Sequence, residues 1–209
     1  MHDDPTADLR RAYDRHADER EQNNPEPWKL ALRQAFLGLL QAERARTLLE
    51  VGAGPGKDSL FFQQQGLDVT AVDLSPAMVE LCRQKGLRAS AGDIREQDFP
   101  PSSFDAVYSL NCLLHVPKRE LPAVLAAIQR VLRPGGLFFL GLWGGPDREG
   151  IWEGDQYEPK RFFSFHTDDG IRAAVCPFFD ELAFQALPSR AASEDQHFQH
   201  LILRRPGRD

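Results

Sequence analysis

Three glycines within five residues, Gly52, Gly54 and Gly56, follow the run Thr47-Leu48-Leu49-Glu50-Val51. The run reads as a short buried strand, and the glycines as its turn into a helix through Leu60, Phe61 and Phe62. Such a turn lets a ligand approach bare backbone beside the unpaired N–H groups of a helix start. Asp73 stands 19 residues after Gly54, at the end of the next apolar run, Leu67 to Val72. A carboxylate there accepts two hydrogen bonds from a ribose diol, or serves as an N-terminal charge for the helix opened by Ser75-Pro76. Gly92-Asp93-Ile94 ends a third, weaker run. Asp93 suits an adenine amino group with Ile94 against the ring, or an ordinary turn. The spacing disfavours a pyrophosphate. The third glycine comes one residue early for G-x-G-x-x-G, and Gly56-Lys57 precedes Asp58 where a Walker loop needs Ser or Thr.

The elements that must hold these groups alternate along the chain. Strands are expected at 47–51, 67–72, 87–91, 104–110 and 137–142, with helices between most of them. That order implies an α/β fold, a parallel sheet with helices on both faces. Glu50, Gly52, Asp73, Asp93 and Asn111 then fall at the carboxyl edge, where such sheets bind ligands. Upstream, Leu9, Ala12, Tyr13 and His16 predict one amphipathic helix over Thr6–Gln22, broken by Asn23-Asn24-Pro25, and a second from Pro27. Residues 1–45 are therefore N-terminal helices and a candidate lid. Residues 143–166 mix glycine, acids, arginines and aromatics without a period and read as a substrate-side loop or lid. A helix over 167–175 and strands over 181–187 and 196–204 complete the chain, the strands as an antiparallel hairpin at a sheet edge.

A length of 209 residues suits a single domain spanning 1–209, and 42% apolar with 27% charged residues is ordinary globular composition. The net charge of −6 lacks the basic footprint of a nucleic-acid binder. Cys82, Cys112 and Cys176 are odd in number and match no zinc spacing, so neither a metal nor a disulfide framework is expected. No run of about 18 apolar residues predicts a spanning helix, and MHDDPTADLRR lacks the apolar stretch of a leader. The expected setting is cytoplasmic.

Taken together, Glu50–Gly56, Val72-Asp73-Leu74-Ser75-Pro76-Ala77-Met78, Gly92-Asp93-Ile94, Phe104–His115 and Leu132-Arg-Pro-Gly-Gly136 resemble the class I S-adenosylmethionine-dependent methyltransferases. The resemblance covers about 47–142 continuously. It implies a Rossmann-like three-layer sandwich whose seven-stranded, mostly parallel sheet has an antiparallel terminal strand. It also implies S-adenosyl-L-methionine as cofactor and S-adenosyl-L-homocysteine as product. By the family's pattern, Gly52, Gly54 and Gly56 approach the methionine part, supported by Glu50, and Asp73 takes the ribose hydroxyls. Leu74 and Met78 flank the adenine with Asp93 and Ile94 at its edge, and Leu110 and Asn111 line the cofactor near the sulfonium. Charge agrees independently, because Glu50, Asp73 and Asp93 suit a cationic ligand without phosphate.

A sulfonium is already an activated methyl donor, so the protein has mainly to align the acceptor in line and exclude water. A base is needed only where the acceptor must lose a proton. His115, just past the fourth strand, and Tyr13, on the helix able to fold over the cofactor, are the candidate catalytic residues; each also suits a packing role. Tyr13, Trp143, Arg161, Phe163 and His166 are candidate contacts to a planar or anionic small molecule, or members of the core and its ion pairs. The expected partner is a small-molecule methyl acceptor, with no nucleic acid or membrane, for a monomer or homodimer. A protein or RNA acceptor, or a cofactor-binding module without catalysis, is the alternative.

Overall fold

The structure, a computed structural model, describes residues 5–188 and 195–207. Three helices come first: α1 (Pro5–Arg15), α2 (Ala17–Gln22) and α3 (Pro27–Ala42). Then follow β1 (Thr47–Val51), α4 (Lys57–Gln64), β2 (Asp68–Asp73), α5 (Pro76–Gln84), β3 (Arg88–Ala91), β4 (Phe104–Leu110), α6 (Leu121–Val131) and β5 (Leu132–Gly144). A ribbon of β6 (Arg148–Ile151) and β7 (Phe162–Phe165) leads to α7 (Asp168–Val175), β8 (Asp180–Pro188) and β9 (His197–Arg204).

Seven strands form one sheet in the order β3-β2-β1-β4-β5-β9-β8. The five strands from β3 to β5 run parallel; β9 lies antiparallel between β5 and the edge strand β8. Successive side chains of a strand point to opposite faces, and the core divides accordingly. Leu49, Val107 and Phe138 pack with Leu125 and Ile128 of α6 and Ile171 and Val175 of α7. Their neighbours Leu48, Tyr108 and Phe139 pack with Phe36, Leu37 and Leu40 of α3 and Phe62 of α4. Two apolar faces require two helical layers, and the result is the expected three-layer sandwich.

The structure corrects two elements. The expected single helix over Thr6–Gln22 is two helices, α1 and α2, broken at His16. There the His16 N–H bonds back to Tyr13 O, three residues before, and the imidazole stacks on Tyr157 at 3.9 Å. The segment 143–166 holds the β6–β7 ribbon, in which Arg148 pairs with Phe165 and Gly150 with Phe163.

The N-terminal helices lie over the carboxyl edge of the sheet and are tied to it by polar contacts. The Asp14 carboxylate accepts from Ser75 Oγ at 2.5 Å and from the Ala77 N–H at 3.2 Å, at the start of α5. Lys57 Nζ donates to the Arg20 carbonyl at 3.0 Å, and Lys85 pairs with Glu21 at 2.8 Å. Among the described residues no helix is long and apolar enough to cross a membrane.

Candidate active site

The carboxyl ends of β1, β2 and β4 leave a cleft open to solvent, at the sheet edge where such folds bind ligands. Its floor is Val51, Gly52 and Gly54 after β1, Val72, Asp73 and Leu74 after β2, and Leu110, Asn111 and Cys112 after β4. Gly92, Asp93, Ile94 and Arg95 close one end, and Thr6, Leu9, Tyr13 and Arg20 cover it from above.

The glycine turn is tied down by its neighbours. The Gly52 and Ala53 N–H groups donate to the Val72 carbonyl at 2.8 and 3.1 Å, and Gly54 N–H donates to Asp73 Oδ2 at 2.7 Å. Asp73 Oδ1 accepts from Ser75 N–H at 2.9 Å. Burial raises the Asp73 pKa, while these two N–H groups and the charge of Arg20 pull it back. Each carboxylate oxygen keeps a lone pair for a ligand hydroxyl.

Two observations test whether the cleft fits the expected cofactor. An ideal Cβ on Gly54 would meet no atom within 4 Å, so the turn leaves room against its backbone. Asn111, at φ 53°, holds a buried Oδ1 with no hydrogen-bond partner. Such an orphan acceptor is costly unless a ligand donor satisfies it. A cationic amino-acid ligand suits the open glycine turn and the carboxylate of Asp73, with Asn111 lining the same cleft.

Other expected cofactor residues sit elsewhere. Glu50 points to the α4 face, where Ser59 Oγ donates to its carboxylate; burial first, then the charge of Asp58, raises its pKa well above normal. Gly56 caps α4 at φ 81°, and a Cβ there would lie 2.7 Å from Cys82 Sγ and Leu87. Met78 is fully buried in α5. None of the three lines the cleft. Asp93 does, but the Arg95 side chain grips it at 2.7 and 3.0 Å and continues to Glu120 at 3.1 Å.

At the covered end, Tyr13 and His115 meet. Tyr13 Oη lies 2.7 Å from His115 Nε2, and His115 Nδ1 lies 2.8 Å from the Phe162 carbonyl. A carbonyl only accepts, so Nδ1 carries the proton and Nε2 accepts from the Tyr13 hydroxyl. Arg161 donates to the same Tyr13 oxygen at 3.1 Å while holding Asp155 at 2.7 and 2.8 Å. Phe163 packs on the His115 ring at 4.7 Å. Arg161 and Phe163 thus back the Tyr13–His115 pair from outside the cleft. Trp143 packs with Trp28 and Phe198, and the His166 carbonyl accepts from Gly145 and Gln199, both away from the cleft.

Burial lowers the His115 pKa to about 3, the charges of Arg161 and Arg20 adding to it. The unfolded chain, with an ordinary imidazole, binds more protons than the fold between about pH 3 and pH 6.5. Stability from this group is therefore complete above pH 6.5 and falls as pH drops, by at most about 1.4 kcal/mol per unit. His115→Gln is expected to flatten that slope when urea unfolding is followed from pH 4 to 7. Equal slopes for the two proteins would refute the buried neutral imidazole.

Sequence reading missed Arg20. Thr6, Leu9, Tyr13 and Arg20 recur at spacings of three, four and seven, one face of the single helix expected over Thr6–Gln22; the structure brings Arg20 to the cleft from α2 and the other three from α1. Arg20 Nε is buried without a partner, its Nη1 lies 3.5 Å from Tyr157 Oη, and no carboxylate pairs with it among the described residues.

The sequence pattern described as a methyltransferase domain matches residues 48–136. Malonyl-[acyl-carrier protein] O-methyltransferase of Serratia marcescens is 34% identical over 106 residues, 50% of this chain and 41% of the relative. Ubiquinone biosynthesis O-methyltransferase of Xanthomonas oryzae pv. oryzae is 39% identical over 100 residues, 44% of this chain and 41% of that protein. The chain thus spans less than half the length of these two curated relatives. Burkholderia thailandensis 1,6-didemethyltoxoflavin-N1-methyltransferase, solved with 1,6-didemethyltoxoflavin and S-adenosylhomocysteine bound, shares the fold. Its TM-score is 0.64 at 23% identity, covering 88% of this chain and 92% of that one. The glycine turn, the β2 aspartate and the antiparallel β9 thus stand where the resemblance to the class I S-adenosylmethionine-dependent methyltransferases implies them, and residues 48–136 are similar to a methyltransferase domain.

Proposed function

We propose that the protein transfers a methyl group from S-adenosylmethionine to a small-molecule acceptor by in-line displacement. The observation that carries this is the cleft itself, where Gly54, Asp73 and Asn111 line one space under Tyr13 and Arg20. When bound, the cofactor supplies a methyl group already activated on a sulfonium. Asp73 holds the ribose hydroxyls, the Gly52–Gly54 backbone takes the methionine part, and Ile94 and Leu74 border the adenine. Arg20 receives the cofactor's carboxylate. Its backbone is anchored by Lys57 beside the glycine turn, and no carboxylate pairs with its guanidinium among the described residues. α1 and α2 exclude water over the reacting centre, which strengthens each polar contact beneath them. The O-methyltransferase relatives and the net charge of −6 support a small molecule over a nucleic acid as acceptor. The three unpaired cysteines suit a reducing cytoplasm.

Calorimetry with S-adenosylmethionine, S-adenosylhomocysteine and NAD tests the reading; preference for NAD, or no binding, would overturn it. Within that experiment, Arg20→Leu is expected to weaken S-adenosylhomocysteine about tenfold, the worth of one charged hydrogen bond. It should leave 5′-methylthioadenosine, which has no carboxylate, unchanged. An equal loss for both ligands would remove Arg20 from the carboxylate role.

A further inference from the structure

We infer that Tyr13 is the group that takes the acceptor's proton, relaying its own to His115, and that the acceptor atom is therefore the oxygen of a hydroxyl. This rests on the methyltransferase reading above. Tyr13 and His115 both line the cleft, on opposite sides of the seam between α1 and the body of the domain. Every hydrogen-bonding atom of the pair has one direction available. His115 Nδ1 gives its proton to the Phe162 carbonyl, so Nε2 can only accept. The Tyr13 hydroxyl hydrogen is committed to that Nε2 at 2.7 Å, and Arg161 donates to the tyrosine oxygen at 3.1 Å. What Tyr13 still offers the cleft is a lone pair, and a lone pair receives a donor. An acceptor bearing X–H fits; a bare anion does not.

The chemistry then selects among X–H groups. The acceptor's lone pair forms the bond to the methyl carbon as the carbon–sulfur bond breaks and its electron pair passes to sulfur. A methylated amine is a stable ammonium and releases its proton to water later. A methylated hydroxyl is an oxonium, a very strong acid, and must lose its proton as the bond forms. That proton moves to Tyr13 Oη, the Tyr13 proton moves to His115 Nε2, and the imidazolium charge rests on the Nδ1–H bond to the Phe162 carbonyl.

The charged and titratable groups facing the pair are Arg20 from α2, Asp73 at the end of β2, and Asp155, Tyr157 and Arg161 from the β6–β7 connection. Burial keeps His115 neutral, the charges of Arg161 and Arg20 adding to it; burial also raises the Tyr13 pKa, the same two guanidiniums pulling it back, so the tyrosine passes its proton on rather than resting as an anion. A base with a pKa of about 3 could not ionise a free alcohol, but it suffices for an oxonium. Arg161 is a positioning residue here: gripped by Asp155, it fixes the tyrosine oxygen without entering the cleft.

Two measurements on the S-adenosylhomocysteine-bound protein and the active enzyme test this. Nitrogen NMR of histidine-labelled protein is expected to show His115 with its proton on Nδ1 and no titration between pH 5 and 8. In Tyr13→Phe the Nε2 resonance should shift while the tautomer stays. A proton on Nε2, or titration near pH 6.5, overturns the relay. The second measurement follows transfer of labelled methyl to a set of substituted phenols and the matched anilines. Phenols are expected to be methylated, with kcat flat from pH 5 to 8 on the enzyme's side. Tyr13→Phe should lower kcat about 10²-fold or more with the cofactor KM within about twofold. Arg161→Lys, unable to fork Asp155 and reach Tyr13 together, should lower kcat while the His115 tautomer persists. Transfer to anilines alone, or to no probe, overturns the hydroxyl assignment. Failure to bind S-adenosylhomocysteine would overturn the underlying methyltransferase reading instead.

Discussion

Asp73→Ala is expected to raise the dissociation constant of S-adenosylhomocysteine by about two orders of magnitude. The carboxylate is the one acid of the cleft floor whose oxygens are aimed by backbone rather than by a competing cation. Gly54 N–H and Ser75 N–H fix both oxygens, and each keeps a lone pair for a ribose hydroxyl. A hydrogen bond to a charged group is worth about 1.5–3 kcal/mol, so losing two costs about 3 kcal/mol or more, which is about 10² in affinity. The same change frees two N–H groups, so the variant's melting temperature and circular dichroism must accompany the titration. Asp73→Asn separates the effects, since the amide keeps one acceptor oxygen for the backbone but loses the charge. An Asp73→Ala protein that folds and binds as tightly as the wild type would remove the ribose role. Asp93, by contrast, has its oxygens gripped by Arg95 and should matter less.

The contrast between these aspartates shows where sequence reading stops. Period-two strands, glycine turns and helix starts such as Ser75-Pro76 depend on neighbours in the chain, so the sheet edge and its ligand end were legible. Ser75 does cap α5, accepting from Met78 N–H at 3.2 Å. Whether a carboxylate is free depends on what folds against it. Nothing local says that Glu50 is spent on Ser59, or that Asp93 is taken by an arginine two residues on. The covering helices were harder still. Their outer face is charged, so the stripe of Leu9, Tyr13 and Arg20 reads as weak amphipathicity until the cleft beneath it is known. The β6–β7 ribbon was illegible for another reason. Its strands have four residues each and are joined by a ten-residue connection, far from a tight-turn hairpin.

The two glycines of the floor should fail in opposite ways, and that difference separates scaffold from site. Both hold positive φ, 78° at Gly52 and 53° at Gly54, so a side chain at either costs about 1–2 kcal/mol in backbone strain. At Gly52 a Cβ would also lie 2.2 Å from the Cβ of Cys112 and 2.3 Å from its sulfur. β1 and the segment after β4 would have to part, an overpacking cost of about 1–3 kcal/mol more. Gly52→Ala is thus expected to lose about 3 kcal/mol of stability or more in urea unfolding. At Gly54 the Cβ meets nothing within 4 Å, because it enters the cleft. Gly54→Ala should lose only the strain, yet weaken S-adenosylhomocysteine about tenfold or more, since the methyl group occupies space the ligand needs. Restoring room elsewhere cannot rescue it, as the clash is with the ligand and not with the protein. Cofactor affinity unchanged in Gly54→Ala would mean that the methionine part does not pass over this turn. Equal destabilisation of both variants would mean that the turn is held by packing at both glycines and that its openness at Gly54 has no bearing on binding.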